Sequence, residues 1–369
     1  MNFREFNHKK NFWLRAQKTR LAKFLFDKKN ENRFTPSAVK TIKKVLFLRH
    51  DNKMGDMIVS TVFYNNLIKV LPQTKIYVLA GPNTKNLLTE NKNVYKVYSY
   101  KKGWLNAIKT GLKLRKEKFD LLIDIDQELI APTILLIRLI NARFVFGFNR
   151  DGYGIYNIKK TYVYGKEHIS NIYKKVIDGL KIAKDFQFDF NYFVLIPKAS
   201  VNLAQQVLKH LYKEGLKKEN PLVIFNPFAA SKHRCLTALQ AVETAQNLPD
   251  YNFLVIGPAQ QLKYFLPNNE FKPKNLFLLP QDFAKQGGIY LSIALLEQAD
   301  FLISPDTYII HAATALNKPQ LALYRKDKGN QAVWGPNSKK SLILEGEGDN
   351  KFIPSKQIVE SFLKLKNNL

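Results

Sequence analysis

Apolar and polar positions along this chain change period in regular blocks. Val45–Leu48 is a continuous apolar run, Met57–Leu71 carries apolar residues at helical spacing, and Lys75–Leu79 reads as a second strand. Asn83–Glu90 predicts a short helix, Val94–Tyr98 and Leu121–Ile125 two further strands, and Leu105–Lys116 the helix between them. Beyond these come a helix over Ala131–Leu139, a strand near Phe144–Phe146, a polar loop over Asn149–Lys160 and a helix over His168–Ala183. After Pro197 a helix over Val201–Glu214 opens a second alternating set. It runs through strands at Leu222–Phe225, Asn252–Ile256, Leu276–Leu278, Phe301–Ile303 and Gln320–Leu323, with helices at Leu236–Asn247, Gly288–Gln298 and Thr307–Leu316. Apolar strands alternating with helices predict parallel sheets buried on both faces. The expected class is α/β: two Rossmann-like, doubly wound domains facing across a cleft, 45–197 and 198–352, with a leader over 1–44 and a closing helix over 353–369, amphipathic across Ser355–Leu365.

Two strand-to-helix junctions concentrate reactive side chains, Arg49-His50-Asp51-Asn52-Lys53-Met54-Gly55-Asp56 and Ser304-Pro305-Asp306-Thr307-Tyr308-Ile309-Ile310-His311. Open α/β sheets bind ligands at the carboxyl ends of their strands, where these segments fall. Asp56 at a helix start is either an N-cap, worth roughly 1 kcal/mol, or a general base that takes a proton from a sugar hydroxyl. Gly55 suits a positive φ or close backbone approach. Arg49 and Asp51 form an ion pair that fixes the loop, or contact substrate. The helix start at Asp306-Thr307 offers free backbone N–H groups to an anion. His311, one turn on, is either a core histidine or a ligand contact. Lys232-His233-Arg234 is either a solvated basic loop or a set of cations for departing phosphate oxygens, and the turn at Gly257-Pro258 would let a nucleoside approach the backbone.

The 369 residues, 46% hydrophobic, exceed what one core usually serves. The single Cys235 excludes an internal disulfide framework. Basic residues interrupt Met1–Arg33, which gives no signal-peptide pattern, and the longest apolar stretch, Ile130–Ile140, contains Arg138 and is too short to span a bilayer. A soluble or peripheral protein is expected. A net charge of +28 calls for a polyanion, nucleic acid or an anionic membrane surface, or serves plain solubility, and the leader mixes its cations with Phe3, Phe6, Phe12, Trp13, Leu14, Leu21, Phe24, Leu25 and Phe26. That mixture suits a helix lying at an anionic headgroup layer, or one packed on its own domain with a solvated basic face. No G-x-G-x-x-G follows the first strand, no Walker loop is present, and Cys/His metal spacing is missing. Asp124 and Asp126, alternating with Ile123 and Ile125, read as strand-end carboxylates.

Taken together, four segments resemble glycosyltransferase family 9, the heptosyltransferases that build the inner core of lipopolysaccharide in Gram-negative bacteria. They are Arg49-x-Asp51-x-x-x-Gly55-Asp56, the Asp120–Asp124 strand, Asn226-Pro227 through Arg234, and Ala299–Thr307 through His311-Ala312-Ala313. The resemblance implies a GT-B fold and metal-independent, inverting transfer from a nucleotide-activated heptose, typically ADP-heptose, with no cofactor. It implies Asp56 as base, Lys232 and the Asp306-Thr307 helix start as holders of the diphosphate, and His311 as a residue lining the donor pocket. The acceptor would be a lipid-linked oligosaccharide met at the cytoplasmic face of the inner membrane through the basic leader, with no nucleic acid as partner. Departures are Tyr308, where the family often has glycine, and Ala259-Gln260-Gln261, which lacks the acidic residue often near the ribose. They leave open a GT-B enzyme using another donor, such as a UDP-hexose. The charge alone leaves open a nucleic-acid-binding protein, although no recognition signature for one is visible.

Overall fold

The computed structural model describes residues 3–181, 186–266, 272–326 and 330–369, with side chains from Trp13 onward. The chain divides into two compact units: Met1–Tyr164 with Ser170–Asp189, and Gly165–Ile169 with Phe190–Leu369.

The first unit contains α1 (Phe3–Phe26), α2 (Pro36–Val39), β1 (Lys44–Arg49), α3 (Met54–Val70), β2 (Lys75–Ala80), β3 (Lys96–Ser99), α4 (Trp104–Arg115), β4 (Leu121–Asp124), α5 (Ala131–Ile140), β5 (Phe144–Phe148), β6 (Ile158–Lys160) and α6 (Ser170–Gly179). Its six strands are all parallel in the order β3-β2-β1-β4-β5-β6. Val45–Leu48 is fully buried because β1 lies at the sheet centre with helices on both faces. Phe47 stacks on Phe63 of α3 at 4.8 Å and meets Tyr173 of α6 at 6.2 Å, which joins strand and helices in one core.

The second unit contains α7 (Lys198–Lys213), β7 (Leu222–Phe225), α8 (Ala238–Gln246), β8 (Asn252–Val255), α9 (Ala259–Leu262), β9 (Leu276–Leu278), α10 (Gln281–Gln298), β10 (Phe301–Pro305), α11 (Tyr308–Ala315), β11 (Gln320–Arg325), α12 (Asn330–Trp334), β12 (Ser341–Gly346) and α13 (Ser355–Asn367). Its order, β12-β11-β10-β7-β8-β9, repeats the topology of the first sheet. In each sheet the strand order reverses beside the first strand, between β1 and β4 and between β7 and β10. That reversal point is where doubly wound sheets leave a ligand crevice.

Several expectations need correction. The polar stretch 149–160 ends in the edge strand β6, whose Ile-Lys-Lys sequence has too little apolar alternation to announce it. The helix expected over His168–Ala183 spans Ser170–Gly179, and residues 182–185 lie outside the described chain. Asn83–Glu90 yields only a 3₁₀ turn, Lys85–Leu88. The helix expected from Gly288 begins at Gln281 and breaks at Gly288, where φ is 51°. Strand β12 was not anticipated, although Leu342–Leu344 is apolar.

The leader is helical, and its end is fixed to the first unit. Ala22 packs with Ala131 and Ile134 of α5, and the Asp27 carboxylate accepts hydrogen bonds from the Gly154 and Ile155 amides at 3.0 and 2.8 Å. Trp13, Leu21 and Phe24 remain exposed. Among the described residues no helix is long and apolar enough to cross a membrane.

At the end of β4, Asp124 is completely buried. Its Oδ2 accepts from Arg150 at 3.1 Å and from the Tyr156 hydroxyl at 2.6 Å, and its Oδ1 accepts from the Asp126 amide at 3.1 Å. This agrees with the strand-end reading of Asp124. Removing one partner of a buried ion pair leaves an uncompensated charge, so Arg150→Met is expected to destabilise the first unit by about 3–5 kcal/mol. The shift in its urea unfolding midpoint measures this.

Candidate active site

The first junction is built around Arg49, the last residue of β1 and 6% exposed. Its Nη2 lies 2.6 Å from Oδ2 of Asp56 and 3.0 Å from Oδ2 of Asp51. Asp51 also accepts from the Lys53 amide at 3.2 Å. The turn between strand and helix is made by Asn52 at φ 66°, a left-handed conformation that asparagine tolerates. Gly81 permits this turn, since a Cβ there would sit 2.5 Å from Asn52 Oδ1.

This geometry removes one of the two readings offered for Asp56 and one of the two offered for Gly55. Asp56 is not the N-cap of α3: the cap is Lys53, without a side-chain hydrogen bond, and Asp56 stands in the first turn with its carboxylate on Arg49. Gly55 is not among the residues at positive φ, because Asn52 makes the turn instead.

Burial raises the pKa of the Asp56 carboxyl to about 7, with the neighbouring Asp51 charge adding to the rise; Arg49 opposes but does not outweigh them. A helix N-terminus favours the ionised form by typically 0.3–1 kcal/mol, less than the desolvation of a carboxylate with one shared cation. Arg49 in turn holds Asp51 below the usual carboxylate range. Of the two carboxyls, Asp56 therefore keeps its proton to the higher pH.

His50 and Asp126, not singled out as site residues from sequence, stand beside this group. The His50 side chain is buried, with Nε2 3.8 Å from Asp126 Oδ2 and its ring edge-on to Tyr100 at 5.3 Å. Burial lowers the His50 pKa and raises that of Asp126. Their only sequence signal was position at the ends of β1 and β4.

In the second unit, Asp306 and Thr307 follow β10. Asp306 Oδ2 accepts from Arg234 Nη1 at 2.7 Å and from Asn330 Nδ2 at 2.9 Å, so Arg234 holds Asp306 in place. Thr307 caps α11 in backbone only. Its hydroxyl lies 3.2 Å from Asn226 Nδ2 and 3.3 Å from the Ser304 hydroxyl, which leaves first-turn amides of α11 without a side-chain cap. Lys232 is exposed in the 3₁₀ turn Lys232–Arg234, and no acidic side chain pairs with it among the described residues. A cavity of about 210 Å³ opens here, lined by Ser231, Arg234, Asp306, Tyr324, Arg325 and Asn330.

The remaining expected residues have other surroundings. Tyr308 is half-buried, with its phenol beside Ser292 of α10. A Cβ on Gly257 would meet the Phe228 ring at 2.1 Å, so this glycine accommodates Phe228. His311 is buried between Tyr192 and Trp334, at 6.2 and 6.3 Å, and its pKa is lowered to about 4 by desolvation, which keeps it neutral. Asn226 bridges β7 to the second junction through Ser304 at 3.0 Å. Its signal was the Asn-Pro pair after a strand.

A family model described as glycosyltransferase family 9 (heptosyltransferase) matches residues 107–357, a range that takes in Lys232, Asp306 and His311 and begins after Asp56. The chain is similar to a protein of Escherichia coli (strain K12) described as "Putative lipopolysaccharide heptosyltransferase 4", with 27% identity over 93% of this chain and 92% of that one. It is also similar to the lipopolysaccharide core heptosyltransferase OpsX of Haemophilus influenzae, with 22% identity over 76% of this chain and 79% of that one. Among solved structures, a family 9 glycosyl transferase from Veillonella parvula aligns with a TM-score of 0.74 at 18% identity, covering 89% of this chain and 98% of its own. The E. coli ADP-heptose lps heptosyltransferase II aligns with a TM-score of 0.67 at 17% identity, covering 88% and 98%. The fold is of the GT-B class, as expected.

The raised pKa of Asp56 has a consequence for stability. With a folded pKa near 7 against an ordinary 3.8, this group's contribution is complete below pH 3.8 and is lost as the pH rises through about 7. Asp56→Asn is therefore expected to gain on the wild type between pH 4.5 and pH 8, by on the order of 2–4 kcal/mol. Urea midpoints of both proteins at the two pH values measure the gain, and an equal difference at both would show that Asp56 ionises normally.

Proposed function

Since the chain belongs to glycosyltransferase family 9 (heptosyltransferase), we propose that it transfers a heptose, with inversion, from ADP-heptose to a lipopolysaccharide core acceptor. The observation that carries the mechanism is Asp56, a buried carboxyl with a pKa near 7 beside a fixed guanidinium. A base poised near the working pH combines a useful ionised fraction with real proton affinity. Asp56 takes the proton of the acceptor hydroxyl as its oxygen attacks the anomeric carbon. The bond to the diphosphate breaks on the opposite face, and ADP leaves. Arg49 holds the carboxylate in one orientation and limits how far its pKa rises, against burial and the neighbouring Asp51 charge, which both raise it.

In the second unit, Lys232 and the uncapped amides of α11 receive the diphosphate, with charge neutralised by the protein itself and no metal in the step. Arg234 and Asn330 keep the Asp306 carboxylate turned onto themselves, which reduces its repulsion of the phosphates. The neutral His311, within α11, lies between Tyr192 and Trp334. Support for the donor comes from a protein of the same fold, E. coli WaaC, whose structure was solved with ADP-2-deoxy-2-fluoro heptose. The relatives' names support a lipopolysaccharide acceptor. A lipid-linked acceptor and a basic leader support a reading of the enzyme as a peripheral protein at the cytoplasmic face of the inner membrane.

Three measurements test this. Asp56→Ala is expected to lower kcat by about 10²–10⁴ while leaving donor binding intact, and wild-type kcat/KM to fall tenfold per pH unit below an apparent pKa near 7. Near-normal turnover in the variant would remove Asp56 as base. In thermal-shift assays ADP is expected to raise Tm more than UDP, GDP or CMP at equal concentration, because only a ligand that binds the folded state stabilises it. A preference for UDP would change the donor while leaving the mechanism in place.

A further inference from the structure

At the amino ends of β4 and β5, the edge of the first sheet away from Asp56, lies a cavity of about 590 Å³ within the range of small-ligand sites. Six cations line it: Lys28 and Lys29 after α1, Arg115 and Lys118 at the end of α4, and Arg138 and Arg143 at the end of α5. Two carboxylates share the lining, and both are engaged. Asp120 Oδ2 accepts from the Lys43 and Lys44 amides at 2.9 Å each, and Glu31 pairs with Lys29 at 3.0 Å. The carboxyl ends of α4 and α5 each contribute roughly half a negative charge, which Arg115 and Arg138 offset. Lys28, Lys118 and Arg143 remain without an acidic partner among the described residues.

The helices beside the cavity expose apolar side chains. On α1, Trp13, Leu14, Leu21, Phe24 and Leu25 fall within roughly 120° of the helix circumference. Phe24 is 85% exposed, and Lys18 and Arg20 border that face. Ala22 and Phe26, which pack on α5, lie on the other side of α1. On α4, Trp104, Leu105, Ile108 and Leu112 occupy roughly 100°, with Leu105 74% exposed and Lys109 and Lys116 alongside. Both helices pack on α5. Apolar side chains turned outward around an unneutralised basic cavity match the cross-section of a membrane interface, where acyl chains lie beneath phosphate groups.

We infer that this cavity is a docking site for the phosphate-bearing headgroup of an anionic membrane lipid, with the outward faces of α1 and α4 inserted beside it. The inference rests on the reading of the acceptor as lipid-linked, but it concerns a different edge of the sheet and needs no turnover. It also differs from attraction spread over a cationic surface, because only particular residues carry it.

Co-sedimentation of the whole protein with vesicles of phosphatidylethanolamine and phosphatidylglycerol, in the absence of donor, tests it. The variant Arg115→Gln/Lys118→Gln/Arg138→Gln is expected to partition about tenfold more weakly or worse, and Phe24→Ser/Leu105→Ser also to weaken binding. A control with the same loss of charge on α13, Lys356→Gln/Lys364→Gln/Lys366→Gln, is expected to stay within about twofold of wild type on the same per-residue scale. Equal loss in the cavity and control variants, or no loss in either the cavity or the apolar variant, overturns the proposal. So does stabilisation by free glycerol phosphate without vesicle binding, which would make the site one for a soluble anion. If the triple variant does not fold, Arg138→Gln alone, compared with Lys364→Gln, gives the same reading. Loss of vesicle binding with intact transfer to a detergent-dispersed acceptor separates this site from the catalytic reading.

Discussion

A single guanidinium at the end of the central strand organises the first unit's chemistry. Arg49 is buried with two carboxylates at 2.6 and 3.0 Å, so the group carries one more negative charge than positive in a place where water cannot reach most of it. Such a cluster cannot hold both carboxylates ionised at low cost. Asp51, which also accepts a backbone amide, keeps the charge, and Asp56 is left with a raised pKa. The position of Arg49 follows from the sheet. Being the last residue of β1, at the point where strand order reverses, it stands where a doubly wound fold opens a crevice.

The second unit solves a related problem with different residues. Arg234 and Asn330 hold the Asp306 carboxylate, while Asn226 and Ser304 hold the Thr307 hydroxyl away from the helix it precedes. A conventional side-chain cap would satisfy the first-turn amides and close the anion site proposed there. Drawing the threonine oxygen aside leaves them available. Tyr308, bulkier than the glycine expected at the same place, is half-buried with its phenol beside Ser292.

The distribution of charge gives the excess cations distinct settings. Some, such as Arg49, Arg150 and Arg234, are matched to carboxylates and position loops. Others gather at the opposite edge of the first sheet beside exposed aromatic and aliphatic side chains. A net charge of +28 therefore describes several separate electrostatic devices. Only their placement in the fold distinguishes them.

Alternation of apolar runs with helical spacing was enough to expose two parallel α/β units, because strands buried on both faces cannot hide their composition. The junctions near residues 49–56 and 304–311 were legible for the same reason: each begins where an apolar strand ends. The short edge strand β6 and the break at Gly288 were not, since an Ile-Lys-Lys segment is a strand only by virtue of its neighbour β5, and local pattern does not record a neighbour. The sequence likewise placed Asp56 near a helix start but could not say what its carboxylate would meet. A cap and a base differ by which partner the oxygen finds, and that partner, Arg49, was set by the packing of β1 against α3. The pairing of Arg234 with Asp306, the burial of His311, the Phe228 ring over Gly257 and the convergence of cations from α1, α4 and α5 are all long-range in the chain. Periodicity determines which faces are buried; only tertiary structure decides which distant charges share a low-dielectric space, and with it their pKa and their chemistry.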